Sequence, residues 1–366
     1  MYADRITRLQ QAMVEDEIDA VALNPGPTLA YLTGLSFHLM ERPVLAIFSA
    51  KSDPILITPD LERAKAESTS FNIQLFTYDE TASSRAETFQ EACQSIEDNR
   101  IGVEPLRMRV MELHLLEKHA ANATFVSAEN ILEALRVIKT QDEIEIMRQA
   151  VIAAEEALKA TIPLIRIGMT ERELEAELTI QLLRAGSESD FPFDPIVASG
   201  PNSALPHATP TERKLRTGDL LILDWGARVN GYISDITRTF ALGEIDAELK
   251  NIYEVVRGAN QAGRNVARPS ARCGEIDDAA RAVIDEASYG EYFIHRTGHG
   301  IGMEAHEPPY IRGDNPQVLK PGMTFTVEPG IYLPGRGGVR IEDDVLVTSE
   351  GVESLTTYSR ELEVIT

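Results

Sequence analysis

Residues 220–242, LLILDWGARVNGYISDITRTFAL, decide the fold. Apolar runs flank Asn230-Gly231, among the strongest signals for a two-residue β-turn. The stretch therefore reads as an antiparallel hairpin in which Val229 pairs with Tyr232 and Asp224 with Thr237. Side chains alternate with period two along a strand, so Asp235 shares the face of Thr237 and becomes the diagonal neighbour of Asp224 across the ladder. Two like charges on a face shielded by LLILDW are destabilising unless a cation lies between them. A longer turn or a bulge would instead shift the register and leave both aspartates facing solvent.

Downstream, residues 325–343, FTVEPGIYLPGRGGVRIED, repeat the order strand, acid, glycine-bearing turn, strand, acid. The loop is too long to fix which way Glu328 and Glu342 face, but Arg340 lies two residues before Glu342 and projects from the same side. Unpaired carboxylates in such apolar strands would be costly to bury. Between the hairpins, residues 295–307, HRTGHGIGMEAHE, hold His295, His299 and His306, three of the chain's seven histidines. Gly298, Gly300 and Gly302 argue against a helix there and for irregular backbone that approaches something closely. Asp224, Asp235, Glu328 and Glu342 together carry four negative charges, enough to balance two divalent ions, with His299 as a neutral fifth ligand. Such a donor set suits Mn²⁺ or Co²⁺, with Zn²⁺ a third choice. In SGPNSALPHATP (199–210), Leu205 is forced extended before Pro206 and His207 is displayed on a loop.

Working outward, Ile144, Met147, Val151, Ala154 and Leu158 form one helical stripe, opened by a Thr140/Glu143 capping box and limited by Pro163. A second box, Thr170 with Glu173, opens a helix that stops near Gly186. Helical segments near 246–263 and 275–288 separate the strands that follow, so this half reads as α+β. Residues 1–130 alternate helical segments with short apolar runs (DAVAL, PVLAIF, PILITP), an α/β pattern. Nothing there clusters metal-ligand types, and His38, His114 and His119 read as surface or core histidines. The boundary is placed before the long helix, giving domains 1–134 and 135–366.

The chain's 366 residues suit about two domains. With 58 acidic against 35 basic residues and a formal charge of −23, a phosphate backbone would be repelled, which makes nucleic acid an unsuitable partner. Cys93 and Cys273 form no ligand pattern and no expected disulfide, as in a reducing compartment. No stretch approaches the ~18 apolar residues of a membrane span, and the expected location is the cytoplasm.

SGPNSALPH, LDWGARVNGYISDITRT, GHGIGMEAHE, TVEPGIY and GVRIED, in that order, resemble the pita-bread metallopeptidases, and within them the Xaa-Pro dipeptidases (prolidases) and Xaa-Pro aminopeptidases. The resemblance implies hydrolysis of the bond between an N-terminal residue and proline. It implies Asp224, Asp235, His299, Glu328 and Glu342 as ligands of two divalent ions, with Asp235 and Glu342 bridging. By the same resemblance His207 and His306 hydrogen-bond the substrate carbonyl and the tetrahedral intermediate, Glu328 relays a proton and Arg340 supports the site. It further implies a creatinase-like N-terminal domain, signalled by YLTG at Tyr31–Gly34, that helps close the site, often across a homodimer interface, and a pseudo-symmetric catalytic half. Methionine aminopeptidases share the ligand types but usually lack that domain. One departure is Tyr310, where certain members carry an arginine proposed to bind the product carboxylate; Arg312 is a substitute two residues on. The rival reading on the same fold is a metal-free module that binds peptides or proteins, disfavoured by retention of all five ligands.

Overall fold

The computed structural model describes residues 1–94, 96 and 99–366. The chain forms two compact units, Met1–Arg136 and Val137–Thr366. Among the described residues no helix is long and apolar enough to cross a membrane.

The first unit is a six-stranded mixed sheet flanked by helices. Its strands lie in the order Gln74–Tyr78, Ile55–Pro59, Leu45–Ser49, Ala20–Leu23, Arg100–Val103, Thr124–Ser127. Leu45–Ser49 runs antiparallel to both neighbours and the other pairings are parallel. The three apolar runs singled out in the sequence supply the central strands, and every residue of those strands is buried, as expected where helices cover a sheet. The helix Tyr2–Glu15 turns Ile6, Leu9 and Met13 inward. His38 and His114 are exposed and His119 is half-buried.

In the second unit the long helix is Gln141–Thr161, and the five residues of its stripe are all buried. Both capping boxes form, and the second helix, Glu171–Arg184, is followed by Gly186 at φ 99°. Two further helices, Ala247–Val266 and Cys273–Glu286, follow one another in the chain between the strand Ile236–Leu242 and the strand Gly298–Gly300. One sheet orders Val364–Ile365, Ile236–Leu242, Leu220–Trp225 and Ile196–Ser199; the other orders Glu307–Ile311, Gly298–Gly300, Thr324–Val327, Asp343–Val347 and Val352–Ser354. Trp225, fully buried, donates its Nε1–H to the Ala154 carbonyl at 2.9 Å and so fastens the first hairpin to the long helix.

Each sheet contributes one interrupted hairpin. In the first, Val229 pairs with Tyr232 and Asp224 with Thr237, the register read from Asn230-Gly231, which both take positive φ (48° and 79°). The ladder breaks at 226–227 and 234–235, where a Cβ on Gly226 would lie 2.1 Å from the Ser234 carbonyl. The second hairpin pairs Gly330 with Arg340 and Val327 with Asp343, and breaks at 328–329 and 341–342. The sequence echo is therefore a structural repeat.

Candidate metal centre

Three of the four candidate carboxylates sit in those ladder breaks. Asp235 immediately precedes the strand Ile236–Leu242, Glu328 follows Thr324–Val327, and Glu342 precedes Asp343–Val347; only Asp224 lies within a regular strand. Asp224 and Thr237 thus share a face by period-two alternation, whereas Asp235 lies outside the ladder and is aimed by the break instead. His299 is the middle residue of Gly298–Gly300, a short strand and not the irregular loop its glycines suggested. Those glycines do serve close approach, but to neighbouring strands. A Cβ on Gly298 would lie 1.9 Å from the Thr326 carbonyl oxygen, and one on Gly300 2.1 Å from that of Pro308.

Side-chain atoms of Asp235, His299 and Glu342 come within 4.8 Å of one another, and all three residues are buried. His299 Nε2 lies 3.3 Å from Glu328 Oε1 and 3.8 Å from Asp235 Oδ2. His299 Nδ1 is 3.2 Å from the Gly300 carbonyl, which can only accept, so the proton sits on Nδ1 and the Nε2 lone pair faces the carboxylates. Burial, then the neighbouring His306, holds the His299 imidazole well below its ordinary value. Burial also pushes Asp235 well above the usual carboxylate range, reinforced by Glu342, Asp224, Asp344 and Glu328. Glu342 is raised in the same way, by burial and then by Glu328 and Asp224. Glu328 reaches about 7, chiefly through burial, with Arg340 opposing the rise. Oδ1 of Asp224 is buried with no hydrogen-bond partner.

A neutral imidazole lone pair, crowded buried carboxylates and an orphaned carboxylate oxygen form a donor set that divalent cations would satisfy. The residues present fit a divalent metal site, and that fit rests on the unsatisfied Asp224 oxygen, the crowded carboxylates and the imidazole lone pair.

The surrounding side chains hold this set from two sides. Arg340 donates from Nη2 to Asp224 Oδ2 (2.5 Å), from Nε to Thr237 Oγ1 (3.1 Å), and from Nη1 to the Tyr332 hydroxyl (2.9 Å) and the Pro206 carbonyl (3.1 Å). Thr237 in turn donates to Glu342 Oε2 at 2.6 Å, and the Asp235 N–H donates to Asp344 Oδ2 at 3.1 Å. Beneath them Arg238 donates to the carbonyls of Thr237 and Glu342, at 2.8 and 2.6 Å, and to Asp343 Oδ1 at 2.9 Å. Burial pushes Asp343 up, but Arg238 and Arg360 outweigh it and hold this carboxyl well below its usual range.

His306 is exposed overall, yet its ring lies against His299 with centroids 4.1 Å apart; partial burial, Arg296 and His207 lower its pKa. His207 is exposed on its loop, directly after the Pro206 carbonyl that Arg340 holds. Arg312 is exposed and pairs with Asp314 at 2.9 Å, while the Tyr310 ring carries the Arg296 guanidinium at 4.6 Å. Sequence reasoning missed Arg238, Asp343 and the buried Lys139–Glu307 pair, 2.6 Å apart and next to His306. Arg238 meets Asp343 across 105 positions and Lys139 meets Glu307 across 168, beyond any periodicity. It also missed Glu171, visible only as an acid in a helix first turn.

Residues 145–349 match the model of metallopeptidase family M24, and residues 5–138 that of the creatinase/prolidase N-terminal domain. The Xaa-Pro dipeptidase of Pyrococcus furiosus is 37% identical, over 98% of this chain and 99% of its own. Among solved structures, a prolidase from Thermococcus sibiricus superposes with a TM-score of 0.94 at 34% identity, covering 100% of this chain and 99% of its own. A dipeptidase from Pyrococcus horikoshii OT3 gives 0.92 at 40% identity, covering 98% and 99%.

Proposed function

The chain belongs to metallopeptidase family M24, with a creatinase/prolidase N-terminal domain, and from that premise we propose that it hydrolyses Xaa-Pro dipeptides, cutting between the N-terminal residue and proline. The observation that carries this reading is the buried convergence of Asp235, His299 and Glu342 beside Glu328, with the unsatisfied Asp224 Oδ1. In this proposal Asp224, Asp235, His299, Glu328 and Glu342 hold two divalent ions, Mn²⁺ or Co²⁺ ahead of Zn²⁺, whose charge the four carboxylates balance. Ions so bound supply an acidified water near neutral pH and a polarised carbonyl.

The chain's own residues do the rest. Glu328 takes up and returns a proton at its carboxylate. His207 and His306 donate hydrogen bonds to the scissile carbonyl oxygen as charge builds on it, a contribution of ~3–4 kcal/mol for one well-placed donor. Arg340 keeps Asp224 and the Pro206 carbonyl in place through its bonds to both. The anionic lining favours a substrate with a free amino terminus. Cys93 and Cys273, buried and free, agree with a reducing compartment such as the cytoplasm, and the resemblance supports a homodimer.

The test is turnover of a Xaa-Pro dipeptide, a Xaa-Pro-Xaa peptide and a proline-free dipeptide by protein stripped of metal and reloaded with Mn²⁺ or Co²⁺. Cleavage of the first alone, only after reloading, is the expected outcome. Equal turnover of the proline-free control would remove the proline specificity. Protein that binds no divalent ion and cuts nothing would be the metal-free binding module.

A further inference from the structure

At the base of the loop that carries His207, one buried carboxylate bonds to both ends, beside lesser contacts from Asn202 to Thr211 and from Arg213 to Ser199. Glu171, the first residue of the helix Glu171–Arg184, is fully buried. Its Oε1 accepts the Ser199 N–H at 2.7 Å and the Ser199 hydroxyl at 2.8 Å. Its Oε2 accepts the Thr211 N–H at 3.1 Å and the Thr211 hydroxyl at 2.6 Å. Asn202 Nδ2 spans both oxygens, at 3.2 and 3.0 Å. Ser199 and Thr211 are the two feet of the loop, so a single carboxylate gathers both.

The far side of the loop rests on the second hairpin. The Ser203 hydroxyl accepts the Gly338 N–H at 2.8 Å and donates to the Gly200 carbonyl at 2.6 Å; the Pro206 carbonyl accepts from Arg340. The His207 side chain itself makes no hydrogen bond among the described residues and is exposed. Its position is therefore set by the loop backbone, which is held at its two ends by Glu171 and on its far side by Gly338 and Arg340.

We propose that Glu171 is a positioning residue for His207, fixing both feet of the 199–211 loop so that the imidazole is presented to the scissile carbonyl. The proposal rests on the reading of His207 as a carbonyl donor. Five donors converge on two oxygens, and charge-assisted bonds of this kind are about twice as strong as neutral ones. A glutamine offers one oxygen and an NH₂, which would set N–H against N–H at one foot. The helix and the opposite foot would stay bonded, leaving the loop attached but free to pivot.

The experiment is a double-mutant cycle on metal-loaded protein, with Glu171→Gln, His207→Ala and both together, read as kcat and KM for a Xaa-Pro dipeptide alongside metal content. Glu171→Gln should lower kcat roughly tenfold or more with KM within about threefold, while in the His207→Ala background the same change should cost less than about twofold. Metal content should not move, and Glu171→Asp should recover part of the loss. Thr211→Val, which leaves the carboxylate but removes one of its donors and the acceptor for Asn202 Nδ2 and the Arg213 N–H, gives a smaller loss of the same non-additive kind and serves if Glu171→Gln does not fold. Equal losses in both backgrounds overturn the proposal and leave Glu171 a stability anchor; so does an unchanged kcat in Glu171→Gln. Should His207→Ala match wild type, or wild type cut no Xaa-Pro substrate, the reading of the site has failed and the positioning role falls with it.

Discussion

Each of the two interrupted hairpins presents a pair of carboxylates, aspartates in the first and glutamates in the second, by different geometry. In the first, Asp224 pairs with Thr237 inside the ladder and Asp235 lies two positions nearer the turn, in the break. In the second, the register that pairs Val327 with Asp343 and Gly330 with Arg340 puts Glu328 and Glu342 directly opposite. The first turns in two residues, Asn230-Gly231, and the second in three, Pro334 to Arg336. Turn and offset differ; the ladder break is common to both. A regular strand can only alternate its side chains, whereas a break re-aims them, which is how three acids from two sheets come to face one imidazole.

If the hairpins are equivalent halves of one site, their acids should be equally indispensable. Asp235→Asn and Glu342→Gln should each lose bound metal and lower kcat/KM roughly a thousandfold or more, since removing even an outer-shell partner costs 10–100-fold. Metal stoichiometry and turnover measured on both variants give the comparison. A variant that kept two ions per chain and near-normal turnover would break the equivalence and remove its acid from the ligand set.

A second test concerns what joins the halves. Arg238, in a strand of the first hairpin, reaches the Glu342 carbonyl and the Asp343 carboxylate in the second. Arg238→Met leaves the carbonyls of Thr237, Glu342, Tyr358 and Ser359 without this donor and should lower unfolding free energy by about 3–4 kcal/mol in a urea titration. Arg264, 3.6 Å from Asp343, should matter less. A loss under about 1 kcal/mol for Arg238→Met would show the hairpins braced independently.

That brace marks the limit of what the sequence discloses. The first hairpin's register was legible because Asn230-Gly231 dictates a turn, and the helices because Thr140/Glu143 and Thr170/Glu173 announce their starts. The second hairpin's facing was not legible, since a three-residue turn with Gly335 leaves the register open. Asp343 looked like one more acid after Glu342, yet it gathers Arg238, Arg360 and Asn260 from up to 105 positions away. Such contacts follow from how two sheets meet, and no local pattern encodes them. The strand breaks that aim Asp235 and Glu342 were hidden for the same reason.

The second hairpin also carries a pH-sensitive neighbour outside the proposed ligand set. His295 Nε2 lies 2.8 Å from the Tyr332 hydroxyl, which accepts from Arg340 and so donates to the imidazole. Burial, then the Arg340 charge, pushes His295 down to about 4 from an ordinary 6.5. Between those values the unfolded chain binds a proton that the native state refuses. The resulting stability is complete above about pH 6.5 and is lost as pH falls toward 4, by at most about 3 kcal/mol. Wild type and His295→Gln, compared in urea at pH 7.5 and 5, should converge at the lower pH. Parallel profiles would mean that His295 titrates normally.

The smallest effect isolates the turns themselves. Gly231 at φ 79° and Gly335 at φ 75° both occupy the left-handed region, and neither is crowded: the nearest atom to a Cβ on Gly231 is Met303 Cε at 3.5 Å, and nothing lies within 4 Å of one on Gly335. Alanine at either position therefore tests backbone strain alone, on the order of 1–2 kcal/mol. The first turn cannot relax. Asn230 is already at positive φ, and Gly231 is held by its N–H to Glu188 Oε1 at 3.2 Å and its carbonyl to Arg228 Nη1 at 3.3 Å. The three-residue turn has a spare residue over which to spread the strain. Gly231→Ala should cost about 1.5 kcal/mol in urea and Gly335→Ala about 1 or less, with metal content unchanged in both. If Gly335→Ala proved the costlier, turn length would not be what makes the first hairpin the rigid half, and its legibility in the sequence would have a different cause.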